Sequence, residues 1–367
     1  MKEAIKVISR IIIAALFIYS GFVKCVDPTG TAIKFEEYFD VFGTNFMIPF
    51  SMAFSILMCG AEMLIGIMLL LNLKIKWAIW LAVALMAVYT PLTLWLAITN
   101  KVTDCGCFGD ALVLTNMQTF LKNLAIDLIL LILVFNRNHY KNPLKQPIQI
   151  YASAGMALLV FGFEFYNLSH LPVIDFMPYK VGVNIPKSMI VPEGAQQDVY
   201  KMEFYYEKGG KVQQFTQDNY PQDDSTWKFV DSKSILVKKG YSPPIHDFSI
   251  MASDGQDVTD LVLSEPGYTL LVLFGSFKKA DLKNIGKINE VVNKAISKEY
   301  KVIGLTSSVP EEFEVFKEKA KATYPIYLMD GTTLKTMIRS NPGLILIKNG
   351  TVMGKWHHKQ VGKIKEI

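Results

Sequence analysis

Long apolar runs fill the first half of the chain and are rare in the second. Five runs of about 20 mostly apolar residues are long enough to cross a bilayer as helices. They extend over about Ala4 to Val23, Ile48 to Leu71, Trp77 to Ile98, Met117 to Phe135 and Ile150 to Leu168. Because lipid offers a backbone N–H or C=O group no partner, spanning runs are helical. The pattern predicts an all-α membrane helix bundle over residues 1–171, with Pro91 as a kink in its third helix.

The second half has the mixed pattern of a globular protein. From Asp175 to Lys239, apolar and polar positions alternate around turn signals, as in Val199 to Tyr206 before Gly209 and Gly210. This alternation predicts a β-rich connector over residues 172–240. After it, strands and helices alternate, which predicts an α/β domain over residues 241–367.

The predicted elements of this last domain are six strands and two helices. The strands are placed at Phe248–Met251, Thr269–Phe274, Tyr300–Thr306, Ile326–Met329, Leu344–Lys348 and Thr351–Trp356, and the helices at Leu282–Lys298 and Glu311–Ala322. Asn349 and Gly350 form the two-residue turn that is typical of a hairpin between the last two strands.

Composition agrees with a chain that is partly in lipid. Mean hydropathy is +0.26 and charged residues make up 19% of the chain, a low proportion for a soluble protein. The net charge of +5 is compatible with an anionic partner, yet Lys and Arg gather in the short loops between the apolar runs. Membrane topology explains such loops, so we expect the lipid bilayer, and no nucleic acid, as a partner.

Positive residues mark alternate loops, and this fixes the expected orientation. They are Lys2, Lys6, Arg10, Lys74, Lys76, Arg137, His139, Lys141 and Lys145. The positive-inside rule assigns these segments, and the N-terminus, to the cytoplasm. The segments Lys24 to Met47 and Thr99 to Asn116, and the whole soluble half, are then expected on the periplasmic side of the inner membrane. No small-x-small cleavage site follows the first run, so we expect it to be a retained helix.

All four cysteines lie in the membrane half, and two of them form a Cys-Gly-Cys motif. Cys105 and Cys107 flank one glycine in a short outer loop, where they can oxidise to a small, strained ring. Strain makes a disulfide labile, which favours a redox role over a structural one. The alternatives are a static bond that staples the loop, or a bond from one of the two to Cys25. Cys59, inside the second helix, is interpreted as an inert apolar side chain.

Metal binding is the weaker interpretation of these residues. Two thiols are too few for a structural zinc site, which takes about four ligands. His357 and His358 are neighbours on a predicted strand, where adjacent side chains point to opposite faces. We therefore predict no metal site.

Three acidic residues lie inside the predicted spans, where an ionisable group is costly and often functional. They are Glu62, Asp127 and Glu164. Glu62 lies one turn from Cys59, and Asp127 lies one turn from Asn123, so each pair should face the interior of the bundle. At the outer edge, Lys24 and Asp27 can pair with one another or with these acids. A structural role and a proton-handling or quinone-binding role are both open.

Several short motifs resemble the DoxX-like superfamily. They are Gly21-Phe22-Val23-Lys24, Asp27-Pro28-Thr29-Gly30, Gly60-Ala61-Glu62 with Gly66, and Cys105-Gly106-Cys107-Phe108-Gly109. Within it, the CGCFG loop is most similar to the methylamine-utilisation MauE family, and the resemblance covers residues 1 to 140. It implies a four-helix membrane protein that forms or maintains disulfides in exported partners, with Cys105 and Cys107 as the redox pair. The fifth helix and the soluble half depart from that family.

The last domain resembles the TlpA-like and peroxiredoxin-like branch of the thioredoxin superfamily over residues 243 to 360. The motifs are Tyr324-Pro325-Ile326-Tyr327-Leu328 before Asp330-Gly331, and Asn341-Pro342-Gly343 before a strand. The resemblance implies that Pro342 occupies the family's cis-proline position. Where that family carries Cys-x-x-Cys, this chain reads Gly275 to Asp281, and no cysteine follows Cys107. Without a sulfur nucleophile the domain cannot exchange thiols itself, so we expect a binding module.

Three functional hypotheses follow. In the first, Cys105 and Cys107 cycle between dithiol and disulfide while the thioredoxin-like domain docks an exported client, with Cys25, Lys24, Asp27, Glu62 and Asp127 as accessory residues. In the second, the chain is a non-catalytic, membrane-anchored scaffold. In the third, it is a quinone-linked electron-transfer subunit that uses Glu62 or Asp127.

Overall fold

The computed structural model describes residues 2–102, 104–140, 144–196, 199–221, 224–238 and 240–364. Six long or medium helices form the first half of the chain. They are α1 (Lys2–Val26), α2 (Pro28–Val41), α3 (Ser51–Leu70), α4 (Ile75–Thr99), α5 (Asn116–Asn136) and α6 (Gln146–Ser169). A 3-10 segment, Asn45–Phe50, leads into α3.

Five of these helices are long and apolar enough to cross a membrane. The spans are Glu3–Val26, Asn45–Leu70, Ile75–Thr99, Asn116–Asn136 and Gln146–Ser169. They confirm the five predicted spans, with ends that differ by a few residues. The chain is therefore a multi-pass membrane protein, and Pro91 lies inside α4.

Helices α1 and α3 cross at backbone contact, and two glycines explain how. A Cβ atom on Gly21 would lie 2.4 Å from the backbone nitrogen of Met63, and one on Gly66 would lie 2.7 Å from that of Ile18. No side chain fits at either position. Small residues permit such close crossings in membranes, and here the crossing brings Lys24 of α1 to the level of Glu62 of α3.

The loops divide between two ends of the bundle. At one end, the Tyr140 hydroxyl donates to the Lys6 carbonyl (3.1 Å), and the Lys74 N–H donates to the side chain of Gln149 (3.0 Å). The positive segments of the sequence therefore meet at this end, although Lys141 lies outside the described residues. At the other end, Lys34 contacts Asp104 (3.1 Å). The Cys-Gly-Cys loop and the soluble half are also at this second end.

Residues 24–47 were predicted to be an outer loop, but most of them form α2. Asp27 caps this helix by accepting a hydrogen bond from the Gly30 N–H (3.0 Å), and Pro28 occupies its first turn. An acidic N-cap followed by proline is a helix start signal. Because α2 is short and mixed in polarity, its hydrophobic pattern did not reveal it.

The connector contains one separate antiparallel sheet. Its strands are β1 (Val199–Lys208), β2 (Lys211–Thr216) and β3 (Lys228–Lys238), in the order β2-β1-β3. Aromatic rings of the three strands pack edge to face, with Tyr206 5.9 Å from Phe215 and 5.6 Å from Phe229 between centroids. The predicted β-rich character therefore applies to residues 199–238.

The rest of the chain forms an α/β domain. Its elements are α7 (Ile185–Met189), α8 (Thr259–Leu263), β4 (Tyr268–Phe274), α9 (Ile285–Ser297), β5 (Lys301–Thr306), α10 (Phe313–Ala320), β6 (Ile326–Leu328), α11 (Gly331–Met337), β7 (Gly343–Lys348) and β8 (Thr351–His357). The strand order is β6-β5-β4-β7-β8. Strands β4, β5 and β6 are parallel to one another, β7 runs antiparallel to β4, and β8 runs antiparallel to β7. This is a thioredoxin-like sheet, as the sequence predicted.

Alternate side chains of the sheet build two cores. Leu271 and Leu273 of β4 pack with α8 and α11, whereas Leu270 and Val272 pack with α9 and α10. The first core also contains Tyr179 and residues of α7. Part of the segment predicted as connector therefore packs into the α/β domain, because its apolar side chains cover one face of the sheet.

Two further details differ from the sequence prediction. Residues 248–251 form only isolated bridges of Met251 with Asp257 and Leu328, since this segment runs along the edge of β6. Helix α11 was not predicted, because its seven residues are too few to show helical periodicity. It carries the chain toward Arg339, which contacts the membrane bundle.

Candidate functional site at the Cys-Gly-Cys loop

The Cys-Gly-Cys loop folds against the outer end of the bundle and is held by three side chains. Asp104 accepts a hydrogen bond from the Gly106 N–H (2.9 Å), Tyr38 donates to the Cys105 carbonyl (3.1 Å), and Ser20 donates to the Cys107 carbonyl (2.6 Å). Gly106 has a φ angle of +68°, which glycine adopts without strain. The glycine therefore lets the loop turn so that both thiols face the same space.

The two sulfur atoms of this loop are in direct contact. Cys105 Sγ lies 2.9 Å from Cys107 Sγ, and both residues are partly buried free cysteines. In this geometry one thiol donates a hydrogen bond to the other. Loss of two protons and two electrons from such a pair gives a disulfide, and the reverse reaction restores the dithiol.

The shared hydrogen bond makes the two thiols unequal. It lowers the pKa of the Cys107 thiol below its ordinary value and raises the pKa of the Cys105 thiol well above it. Burial opposes the first shift, whereas the charges of Lys122 and Lys24 add to it. The hydrogen bond therefore favours the thiolate, the nucleophilic form of the side chain, on Cys107 and the protonated thiol on Cys105.

A buried ion pair lies directly beneath the loop. Lys24 Nζ is 2.6 Å from Glu62 Oε2, and the Tyr89 hydroxyl donates to the same oxygen (3.2 Å). The side chains of Lys24 and Glu62 are 8% and 6% exposed, so neither charge has water as an alternative partner. Of the pairings left open for Lys24 by the sequence, the structure selects Glu62.

Three further residues that the sequence singled out, the predicted accessory residues Asp127 and Cys25 and the intramembrane acid Glu164, do not line the cavities beside the two loop sulfurs. Asp127 accepts a hydrogen bond from Thr90 (2.7 Å), which joins α5 to α4. Cys25 packs in a buried cluster with Cys59 and Val160. Glu164 is fully buried on α6, and its Oε2 would be 2.9 Å from a Cβ added to Gly60.

The cavities that adjoin the pair are small. One of about 20 Å³ is lined by Glu62, Tyr89 and Cys107, and one of about 60 Å³ includes Cys59, Cys105 and Cys107 in its lining. A third, of about 10 Å³, is lined by Asp104, Cys105 and Cys107. Small-molecule ligands take pockets of roughly 300–1,000 Å³. A quinone ring is larger than any of these cavities.

The two histidines near the C-terminus differ from the sequence expectation. Strand β8 ends at His357, so His358 lies outside the strand. The centroids of the two imidazole rings are only 4.2 Å apart. His358 contacts Ser340 (3.1 Å) and Asp281 (3.5 Å). Within the described ranges, no group of three His, Cys, Asp or Glu residues is arranged to hold a metal ion.

The α/β domain is joined to the bundle next to the loop by an ion cluster. Arg339 donates to both carboxylate oxygens of Asp27, from Nε (3.0 and 2.9 Å) and from Nη2 (2.8 Å). Asp110 of the loop lies 3.8 Å from the same guanidinium. The side chains of Arg339 and Asp27 are 7% and 15% exposed. A cavity of about 250 Å³ beside them is lined by residues of α2, the loop and α11.

The redox position of a thioredoxin-like fold lies at this junction but carries no thiol. Residues 275–281 follow β4, and the Ser276 carbonyl accepts a hydrogen bond from Asn341 (3.0 Å). The Asn341–Pro342 peptide bond is cis. A groove of about 590 Å³ passes from Gly275 and Ser276 to Thr29 of α2. The site thus places a cysteine-free domain over a cysteine-bearing loop.

Two known families match separate parts of the chain. Residues 2–136 match the family of the methylamine utilisation protein MauE. Residues 2–136 of the bundle are MauE-like. The match confirms the resemblance drawn from the CGCFG loop, and α6 and the α/β domain lie beyond it. Residues 200–239, which contain the three-stranded sheet, match a domain of unknown function, DUF8463.

Two individual proteins are similar to parts of the chain. One is Protein TlpB of Flavobacterium psychrophilum, which is 29% identical over 129 residues, or 34% of this chain and 35% of TlpB. The chain thus spans about a third of the length of this relative. The other is the solution structure of a candidate protein disulfide isomerase from Bacteroides thetaiotaomicron, at 21% identity. It covers 33% of this chain and 84% of its own, with a TM-score of 0.26.

Several residues of the site were not singled out from the sequence. They are Ser20, Lys34, Tyr38, Tyr89, Asp104, Lys122 and Arg339. A signal existed for Asp104, since an acidic residue before a turn commonly accepts a backbone hydrogen bond. For the others, only the three-dimensional packing brings the side chain to the loop.

Proposed function

We propose that this chain is a thiol–disulfide exchange protein of the inner membrane, in which Cys105 and Cys107 are the redox pair. The observation that carries the proposal is the contact of two free thiols 2.9 Å apart in a loop at the end of a MauE-like bundle. The lowered pKa of Cys107 supports its role as the nucleophile. Cys105 is then the resolving thiol.

We place the loop and the thioredoxin-like domain on the periplasmic side. Lys6, Lys74 and Arg137 lie at the opposite end of the bundle from the loop, and positive residues favour the cytoplasmic face. The periplasm is an oxidising compartment in which thiol exchange with exported proteins takes place. This orientation gives the pair access to such clients.

The proposed reaction is a balanced exchange with a cysteine pair of an exported protein. The Cys107 thiolate attacks a client disulfide, one client sulfur leaves and takes up a proton, and a mixed disulfide forms. Cys105 then loses its proton and attacks Cys107, which releases the client as a dithiol and leaves Cys105 and Cys107 oxidised. The reverse sequence oxidises a client. The thioredoxin-like domain contributes binding, because no cysteine follows Cys107 in the chain.

Removal of the resolving thiol is expected to trap the intermediate. In cells that express Cys105→Ser, the remaining Cys107 should accumulate mixed disulfides with exported proteins, visible as larger species that disappear on reduction. The double variant Cys105→Ser/Cys107→Ser should form none of them. Cys25→Ala, which changes a cysteine outside the pair, should behave as the unmodified protein. Equal levels of mixed disulfide in the single and double variants would refute the exchange reaction.

The alternative function is a non-catalytic scaffold in which the bundle anchors the soluble domain. The buried contact of Arg339 with Asp27 favours it, since this contact fixes the domain on the bundle without any redox chemistry. The scaffold predicts that replacement of either loop cysteine leaves the disulfides of exported proteins unchanged.

A further inference from the structure

The resolving thiol Cys105 packs against a buried tyrosine of α2. Tyr38 is 7% exposed and forms a small apolar cluster with Leu96 and Val102, against which the side chain of Cys105 packs. The Tyr38 hydroxyl donates to the Cys105 carbonyl (3.1 Å). A buried ring thus holds a hydroxyl group beside the cysteine that has to give up a proton in the second step of the exchange.

That second step places a negative charge on Cys105. In the resting pair, the hydrogen bond with Cys107 and burial raise the pKa of the Cys105 thiol well above its ordinary value. Once Cys107 is bonded to a client sulfur, Cys105 has to become a thiolate before it can attack. A charge in a partly buried site is costly unless a hydrogen-bond donor faces it. The resolving step therefore needs such a donor at Cys105.

Titratable groups from four helices and from the loop itself surround Cys105. They are Lys24 of α1, Lys34 and Tyr38 of α2, Cys59 of α3, Tyr89 of α4, and Asp104 and Cys107 of the loop. Lys24 is bonded to Glu62 (2.6 Å), and Tyr89 donates to the same carboxylate. Lys34 is bonded to Asp104 (3.1 Å) and Glu37 (3.0 Å). Tyr38 differs from these donors because its hydroxyl already contacts Cys105 itself.

We infer that Tyr38 is the hydrogen-bond donor to the developing Cys105 thiolate, and that its hydroxyl turns from the Cys105 carbonyl to the Cys105 sulfur during resolution. The inference rests on the proposed redox cycle of Cys105 and Cys107, and it adds a third residue to that cycle. A fixed donor that faces the atom on which charge develops stabilises the anion without reorganisation of solvent.

The electrostatics of the site agree with this role. The hydrogen bond with Cys107 and burial raise the pKa of Cys105, whereas a hydrogen bond from Tyr38 to the thiol lowers it. Burial raises the pKa of Tyr38 itself, so the hydroxyl keeps its proton wherever thiols exchange. In the balanced step, Cys105 gives up its proton and its sulfur bonds to Cys107 Sγ. The client sulfur leaves and takes up a proton, and Tyr38 loses none.

Quenched-flow analysis of full-length Tyr38→Phe in lipid nanodiscs tests the donor role. Glutathione disulfide converts Cys107 to a glutathione adduct, and Cys105 then displaces glutathione and closes the loop disulfide. Acid quenching and non-reducing mass spectrometry quantify both species over time. A hydrogen bond to a charged group corresponds to roughly one to two pH units in the titration of that group. The pH profile of resolution should therefore move upward by about that much in Tyr38→Phe. Since a more basic thiolate is also more nucleophilic, resolution at neutral pH should be about three- to tenfold slower.

Tyr140→Phe is the matched control. The Tyr140 hydroxyl also donates to a backbone carbonyl at 3.1 Å, that of Lys6, at the opposite end of the bundle. This variant should leave the rate and the pH profile of resolution unchanged. Attack by Cys107 is measured as adduct formation in Cys105→Ser and in Tyr38→Phe/Cys105→Ser, and it should be equal in the two. A purely structural role of Tyr38 predicts the opposite effect on resolution, because a loosened loop exposes Cys105, lowers its pKa and speeds its reaction.

The inference is overturned if Tyr38→Phe resolves the adduct as fast as the unmodified protein, or if its pH profile stays in place or moves downward. In that case the adduct and the loop disulfide still form, and the proposed function stands. If no adduct forms in Cys105→Ser and no loop disulfide forms in the unmodified protein, the proposed function itself fails, and the inference fails with it.

Discussion

Replacement of Glu62 with leucine is expected to destabilise the bundle by about 3–5 kcal/mol, the usual cost of removing one partner from a buried ion pair. The Lys24 ammonium lies 2.6 Å from Glu62 and is 8% exposed, so it would lose its counter-charge in an apolar interior, where an unpaired charge is costly. Tyr89 would also lose the oxygen to which its hydroxyl donates. The measurement is the free energy of unfolding of the full-length protein in mixed lipid and detergent micelles.

The double variant Lys24→Met/Glu62→Leu provides the sharper comparison. Replacing both charges removes the unpaired group, and well-packed apolar pairs often match or exceed the stability of a buried ion pair. We expect the double variant to recover most of the stability that Glu62→Leu loses. Lys6→Met is the control, because its partner Glu3 is 80% exposed and such pairs contribute little. Unchanged stability of Glu62→Leu would show that this pair does not hold α1 to α3.

Replacement of Arg339 with methionine is expected to release the thioredoxin-like domain from the bundle. The change leaves the Asp27 carboxylate, 15% exposed, without the guanidinium that donates to both of its oxygens, and loss of one partner costs about 3–5 kcal/mol. Hydrogen exchange should become faster by at least tenfold in residues 104–111 and in α11, since 1.4 kcal/mol corresponds to a factor of about ten in an equilibrium constant. The loop cysteines should also become easier to alkylate.

A matched control lies one turn away on the same surface. Lys335 pairs with Glu36 at 3.5 Å, but the two side chains are 46% and 37% exposed. A surface pair of this kind contributes about 0–1 kcal/mol, so Lys335→Met should leave hydrogen exchange near the loop almost unchanged. Equal effects of the Arg339 and Lys335 variants would mean that the buried cluster does not control docking.

The spans and the α/β order could be predicted because each has a strong local pattern. Twenty apolar residues in succession identify a membrane helix wherever it packs, and the run from Thr269 to Phe274 shows a buried strand by composition alone. Helices α2 and α11 lack such patterns, since one is mixed in polarity and the other has seven residues. These two missed helices are the elements that join the domains.

The site itself could be predicted only in part. Cys105 and Cys107 could be identified because a spacing of one residue by itself indicates that the two thiols can react with each other, and the sequence places Lys24 and Asp27 at the same outer end of the bundle. The sequence could not identify the partners of Lys24 and Asp27, because Glu62 is 38 residues from Lys24 and Arg339 is 312 residues from Asp27. Such pairings follow from how helices cross and how domains dock.

The redox state of the loop pair in intact cells tests the central claim most directly. Cells are exposed to a membrane-impermeant, mass-tagged maleimide before and after a mild reductant, with Cys105→Ser/Cys107→Ser as the background. The account predicts that Cys105 and Cys107 gain tags after mild reduction of the folded protein and lose this reactivity again once the reductant is removed. A pair that stays oxidised until the protein is unfolded, or that reacts only after the cells are opened, would contradict it.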